Sequence, residues 1–169
     1  LLSATAGRTV SDIDSAGVLL APSAGRNKGR VGNVLEQSVL GYPADSDQRP
    51  DLTVDGVPWE LKCTGLVEAR RSGGAWRAKE PMSVTAVSPE AIVGESFSTS
   101  AFWHKAERIL VVYYLYVRPG RGVAVSYADF EVRGYDFHTW SELDRARLES
   151  DWTVVRDYVR RAMADADDL

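Results

Sequence analysis

Cysteine is nearly absent from this chain. Cys63 is the only one in 169 residues, so no internal disulfide can form, and a reducing compartment, the cytoplasm, is the expected location. Long apolar runs are missing too. The longest, "ILVVYYLYV", is interrupted at Arg118; it is too short to span a membrane and reads as a buried strand. The opening "LLSATAGRTV" has neither the charged start nor the apolar run of a signal peptide. It also lacks a starting Met, and the expectation is a piece of a longer protein. Internal repeats and low-complexity tracts are lacking. So is any excess of positive charge: the net value is −4, which does not advertise a nucleic-acid binder. The distribution says more than the sum. "GRNKGR" groups Arg26, Lys28 and Arg30, and "EARRSGGAWRAK" adds Arg70, Arg71, Arg77 and Lys79, while Asp165, Asp167 and Asp168 collect in the tail. Charge patches of this kind are commonly plain solvated surface.

What is present suits a single domain, residues 1–169, with a core of its own: 44% of residues are hydrophobic and 26% charged. "SDIDSAG" reads as a short helix closed by Gly17. "GRVGNVLEQSVLG" reads as a longer helix with Val31, Val34, Leu35 and Val39 facing the core and Gly41 as its stop. "YPADSDQRP" is a turn-rich loop. A β-hairpin is expected from about Asp51 to Thr64, turning at "DG". "GLVEARRSGGAWRAK" reads as a loop or ribbon, and "PMSVTAVS" as a third strand. "STSAFWHKAER" is a short helix, "RILVVYYLYV" the most buried strand, and "GVAVSYADFEV" its neighbour. Thr139 and Glu142 fit a capping box, after which Leu148, Trp152, Val155 and Val159 recur at helical spacing. Helices flanking a mixed central β-sheet define an α/β (α+β) domain. Trp103, Tyr113, Tyr114 and Trp152 are expected to fill the core.

The stretch "PDLTVDGVPWELK" carries the chemistry. On a half-buried strand, Trp59, Leu61 and Cys63 would take one face and Glu60, Lys62 and Thr64 the other. A surface ion pair is one reading. A metal site is the other. Mg²⁺ takes hard oxygen ligands and keeps several waters; Asp51 and Glu60 on neighbouring hairpin strands supply two carboxylates, and the Leu61 carbonyl a third oxygen. Lys62 has no lone pair as an ammonium. Its use would be to orient a water or to stabilise charge on a phosphate, which is the logic of phosphodiester hydrolysis. Glu36, on a helix otherwise patterned for the core, lies one turn from Gly32 on the same face. It is either a solvated glutamate or a third carboxylate with room for an ion beside it.

Taken in order, "NKGRVGNVLEQSVLG", "RPDLTVDGVPWELKCT" and "SAFWHKAERILVVYYLY" resemble the MutH family, which comprises the mismatch-repair endonuclease and related restriction enzymes cutting at GATC. "AGRTVSDIDSAG" resembles that family's early helix-turn-helix, and "ELDRARLESDWTVVRDYV" its helix after the sheet, so the likeness runs nearly end to end. The resemblance implies a restriction-endonuclease-like PD-(D/E)xK core and a Mg²⁺-dependent DNA endonuclease, with Mn²⁺ as a substitute. It implies Asp51, Glu60 and Glu36 as metal-binding carboxylates and Lys62 as the catalytic lysine. Lys105, in "HKAER", matches a further functional lysine near the active site, and Lys28, with Arg30 beside it, a lysine close to the DNA backbone. His104 either touches phosphate or sits on the helix surface.

Two departures from the family pattern stand out. The gap between Asp51 and Glu60 is slightly longer, which the "VDGVP" tip can absorb. The chain also ends soon after its long helix, where the family has a further segment supplying base-specific contacts, and base contacts rather than phosphate contacts read sequence. The expectation is therefore a catalytic domain acting on double-stranded DNA. Its target preference would come from another domain, a protein partner or a dimer mate, and its role would be restriction or defence rather than mismatch repair. A catalytically silent binding module that keeps the fold is the alternative.

Overall fold

A hairpin forms where the sequence asks for one. Asp55 and Gly56 take φ values of 51° and 78°, the two left-handed residues that a type I′ turn demands. Strand β1 (Leu52–Val54) thereby folds back on β2 (Val57–Glu68), with Leu52 opposite Trp59, Thr53 opposite Pro58 and Val54 opposite Val57. The structure, a computed structural model of the chain, describes residues 1–21, 29–43, 51–69 and 74–167. The turn-rich loop expected before the hairpin lies largely outside them. Strand β2 runs on to pair antiparallel with β3 (Trp76–Ala78), so the stretch after Thr64 is a ribbon. With β4 (Arg108–Leu115) and β5 (Val132–Thr139) these strands make one mixed five-stranded sheet flanked by helices, in the order β1-β2-β4-β5 with β3 attached to β2.

The chain divides into two compact units. The first comprises Leu1–Asp47, Leu61–Met82 and Leu110–Phe137; the second comprises Gln48–Glu60, Ser83–Ile109 and His138–Leu169. Strands β2 and β4 each pass from one unit into the other.

In the first unit, helix α1 (Val10–Ile13) starts at a capping box: the Asp12 N–H donates to Thr9 Oγ1 (3.2 Å) and the Thr9 N–H to Asp12 Oδ2 (3.0 Å). The helix stops at Ile13 rather than at Gly17. The Asp14 carboxylate accepts the N–H groups of Val18 and Leu19, both at 2.8 Å, and so starts a 3₁₀ turn at Gly17 instead. The longer helix expected after it is two kinds of helix in series. Helix α2 (Arg30–Val34) gives way to a π-helical turn over Leu35–Leu40, which Gly41 ends with φ 76°. Val31, Val34 and Leu35 are buried as expected, but the wider turn carries Val39 out of phase and leaves it half-buried. Leu110, Val111, Val112, Phe130 and Val132 complete this core. Tyr113 and Tyr114 are half-buried rather than core; the Tyr114 ring stacks on Phe130 with centroids 5.0 Å apart. A Cβ at Gly65 would come within 3.1 Å of that ring, so the tyrosine would have to shift to accept one.

Two strands expected from sequence fall elsewhere. "PMSVTAVS" forms none: the β2–β3 ladder ends as the Lys79 N–H donates to the Gly65 carbonyl (2.8 Å), and Pro81 has no N–H to extend it. "GVAVSYADFEV" is mostly turn. Val123 bonds back to Gly120 (3.0 Å), the Phe130 carbonyl is taken by the Val10 N–H (2.8 Å), and the neighbour of β4 begins only at Val132.

In the second unit, helices α3 (Pro89–Ile92), α4 (Ala101–Ala106) and α5 (Glu142–Asp167) pack around Ile92, Phe97, Trp103, Ala106 and Trp152. Ser100 caps α4 from a buried position, donating to the Phe97 carbonyl (2.7 Å) and accepting from the Trp103 N–H (3.0 Å). The cap of α5 is not Thr139, which is held extended at the end of β5. Ser141 takes the part, accepting the Asp144 N–H at 3.1 Å. Leu148, Trp152 and Val159 form the packed stripe of α5. Val155, expected on that stripe, is 49% exposed, and the Arg156 guanidinium lies over the Trp152 ring at 5.2 Å.

Candidate active site

The ladder of the hairpin begins with Leu52 opposite Trp59, so Asp51 and Glu60 are the next residues beyond it, one on each arm. Carboxylates brought close together repel, and positive charge beside them relieves the repulsion. One source is present. Lys105, in the last turn of α4, brings Nζ to 3.4 Å from Glu60 Oε1.

Burial decides what this pair is. The Glu60 side chain is 1% exposed and that of Lys105 13%, so Glu60 is not the solvated surface carboxylate that the ion-pair reading with Lys62 assumed. The strand is not half-buried at this point but covered on both faces, since Leu61 is buried as well. Withdrawing a carboxylate from water is costly even when an ammonium stands nearby. Groups kept in that condition concentrate at functional sites.

The remaining predicted residues distribute as follows. Asp51 is half-buried in the same unit as Glu60 and Lys105, and His104, beside Lys105, is exposed on the helix surface. Glu36, Leu61, Lys62 and Arg30 belong to the other unit. Glu36 sits half-buried in the π-helical turn, its carbonyl accepting the Tyr42 N–H at 2.8 Å. Gly32 brings α2 against β2: a Cβ there would meet Cys63 Sγ at 3.9 Å, an ordinary contact. Lys62 is half-buried on β2. Arg30 is tied into its own unit, donating to the Leu19 carbonyl (3.1 Å) with its guanidinium 5.8 Å from the Tyr127 ring. Lys28 lies outside the described residues.

No group of three or more His, Cys, Asp or Glu stands ready to hold a metal ion among the described residues. Asp51 and Glu60, in one unit, are carboxylates of the kind that a hard divalent cation takes as ligands. Sequence reasoning missed the burial of Glu60 and its contact with Lys105, which lies 45 residues away along the chain. The only sequence signal for that contact was the resemblance.

An acid ahead of a tight hairpin, an acid-x-lysine on its return strand, and a mixed sheet flanked by helices together define a restriction-endonuclease-like core. Residues 40–151 match the family "DNA mismatch repair enzyme MutH". The chain belongs to that family. The match takes in Asp51, Glu60, Leu61, Lys62, His104 and Lys105; Lys28, Arg30 and Glu36 precede it. The type II restriction enzyme Sau3AI of Staphylococcus aureus is 27% identical over 141 residues, covering 82% of this chain and 27% of that protein. The chain thus spans little more than a quarter of its relative. No described helix is long and apolar enough to cross a membrane.

Proposed function

We propose that this chain is the catalytic domain of a divalent-metal-dependent DNA endonuclease of restriction type. The observation that supports it most is the buried Glu60 carboxylate, 3.4 Å from the Lys105 ammonium, on a strand whose next residues are Leu61 and Lys62 and whose hairpin partner strand starts right after Asp51. Asp51 and Glu60, with the Leu61 carbonyl and Glu36, would hold Mg²⁺, or Mn²⁺ in its place. When bound, the ion supplies positive charge to the phosphate oxygens and acidity to a water.

The chain's own residues do the rest. Lys62 Nζ donates hydrogen bonds to the attacking water or to a non-bridging phosphate oxygen, and so stabilises the negative charge that grows in the transition state. Lys105 holds the Glu60 carboxylate in place through their 3.4 Å ion pair. The water oxygen forms the new P–O bond, one bridging P–O bond breaks, and the departing sugar oxygen takes up a proton. Lys28, Arg30 and His104 would meet the DNA backbone. One such site cuts one strand, so a double-strand break needs a second copy. Target choice would come in large part from another domain or a protein partner.

Relaxation of supercoiled plasmid with Mg²⁺ or Mn²⁺ tests the reading, on methylated and unmethylated DNA. The parent chain is expected to nick while Lys62→Ala does not, with both binding Mn²⁺ equally in a direct titration. A parent chain that neither nicks nor binds Mn²⁺ overturns the assignment.

A further inference from the structure

The β2–β3 ribbon plays no part in the chemistry above, yet its composition is unusual for this chain. From Leu66 to Glu80 the sequence carries Arg70, Arg71, Arg77 and Lys79 against Glu68 and Glu80, a positive stretch in a chain of net charge −4. All three residues of β3 are exposed, and among the described residues β3 pairs with β2 alone, which leaves its outer edge open. Trp76 leaves 53% of its surface in water. Its register partner is Glu68, so the indole and a carboxylate share one face. Arg77 points to the other face; it donates a long hydrogen bond to the adjacent Ala78 carbonyl (3.4 Å). Lys79 is engaged at the root of the ribbon, with Nζ 4.3 Å from the Tyr116 ring centroid and 3.4 Å from Glu80 Oε1.

We infer that this ribbon is a DNA-contacting arm, in which Arg77 grips a backbone phosphate while Trp76 and Glu68 face base edges in the major groove. The inference rests on the endonuclease reading above and adds a recognition element to it. A two-stranded ribbon is one of the few elements that the major groove admits. Arg77 is long enough to reach around the open edge of β3 to the phosphates that border the groove. Glu68 would be repelled by those phosphates, but it can accept from the exocyclic amino group of cytosine. The Trp76 ring beside it suits the thymine methyl or the flat face of a displaced base. The face carrying the carboxylate therefore reads, and the face carrying the guanidinium holds.

The test is fluorescence anisotropy on labelled duplex DNA with Mg²⁺ present, in the uncleaving Lys62→Ala background, titrated over a range of salt. Arg77→Ala should weaken binding several-fold and lower the salt slope by about one, with Arg77→Lys restoring most of both. Trp76→Ala should weaken binding at every salt concentration and leave the slope unchanged. Glu68→Gln should change the ranking among duplexes that differ in cytosine content. Thermal melting of each variant should match the parent, since all three positions are exposed. Ribbon variants that bind as the Lys62→Ala parent does would overturn this inference and leave the nuclease reading standing. If Lys62→Ala itself binds no duplex while still binding Mn²⁺, the DNA reading and the arm fall together.

Discussion

At the scale of single residues, Glu60 shows how position changes the meaning of a common side chain. In the sequence it is one of 24 carboxylates; in the fold its carboxylate is withdrawn from water beside Lys105. Removing the ammonium should therefore hurt twice. Lys105→Met is expected to lower stability by roughly 2 kcal/mol, the scale of a hydrogen bond to a charged group, and also to abolish nicking. Adding Glu60→Gln should recover much of the stability and none of the activity, as read by urea unfolding and plasmid relaxation. Additive stability losses in the double variant would sink the claim that the two groups act on each other. Tyr114 makes a second prediction. Burial chiefly, and then Cys63 nearby, push its phenol up to about 12 from a usual 10. The folded state thus keeps a proton that the unfolded state releases, so the contribution is complete below pH 10 and is lost as pH rises toward 12. Tyr114→Phe should flatten the alkaline limb of stability against pH; an unchanged limb would show that the phenol is not responsible.

At the scale of elements, legibility followed the range of the forces. The hairpin was readable because Asp55-Gly56 is a local demand on φ that almost no other pair meets. Helix α4 was readable as a short helix within "STSAFWHKAER", and β4 through its unbroken apolar run. The errors came where a distant partner decides. Val123 to Val125 have strand composition, but the hydrogen bonds of β4 go to residues further along, and Thr139 lost its capping role because β5 holds it extended. The π-helical turn leaves no local signature, and its effect on Val39 followed unseen. The acid pair was visible only as spacing; which residue is buried, and by what, depends on α4. Two tests belong here. Gly56→Ala forces a Cβ onto a left-handed residue and should cost about 1–2 kcal/mol, with a loss of nicking larger than the drop in melting temperature explains, because the turn fixes how the arm preceded by Asp51 meets the strand carrying Glu60. Ser141→Ala should cost about 1 kcal/mol and leave nicking rate per folded molecule unchanged.

At the scale of the whole molecule, the two units have separate cores, yet β2 and β4 each run through both. Unfolding is expected to be one cooperative event. Tryptophan fluorescence reports mainly on the second unit, which holds Trp59, Trp103, Trp140 and Trp152, whereas far-ultraviolet circular dichroism reports on both. The two curves should coincide, and Trp152→Ala, a loss of about 3–5 kcal/mol, should shift both together; separated transitions would refute this. The path of the chain carries a consequence for inheritance. It changes unit at Asp47/Gln48, Glu60/Leu61, Met82/Ser83, Ile109/Leu110 and Phe137/His138. No single cut in the gene can then encode one unit without the other, so recombination can exchange these residues only as an undivided block.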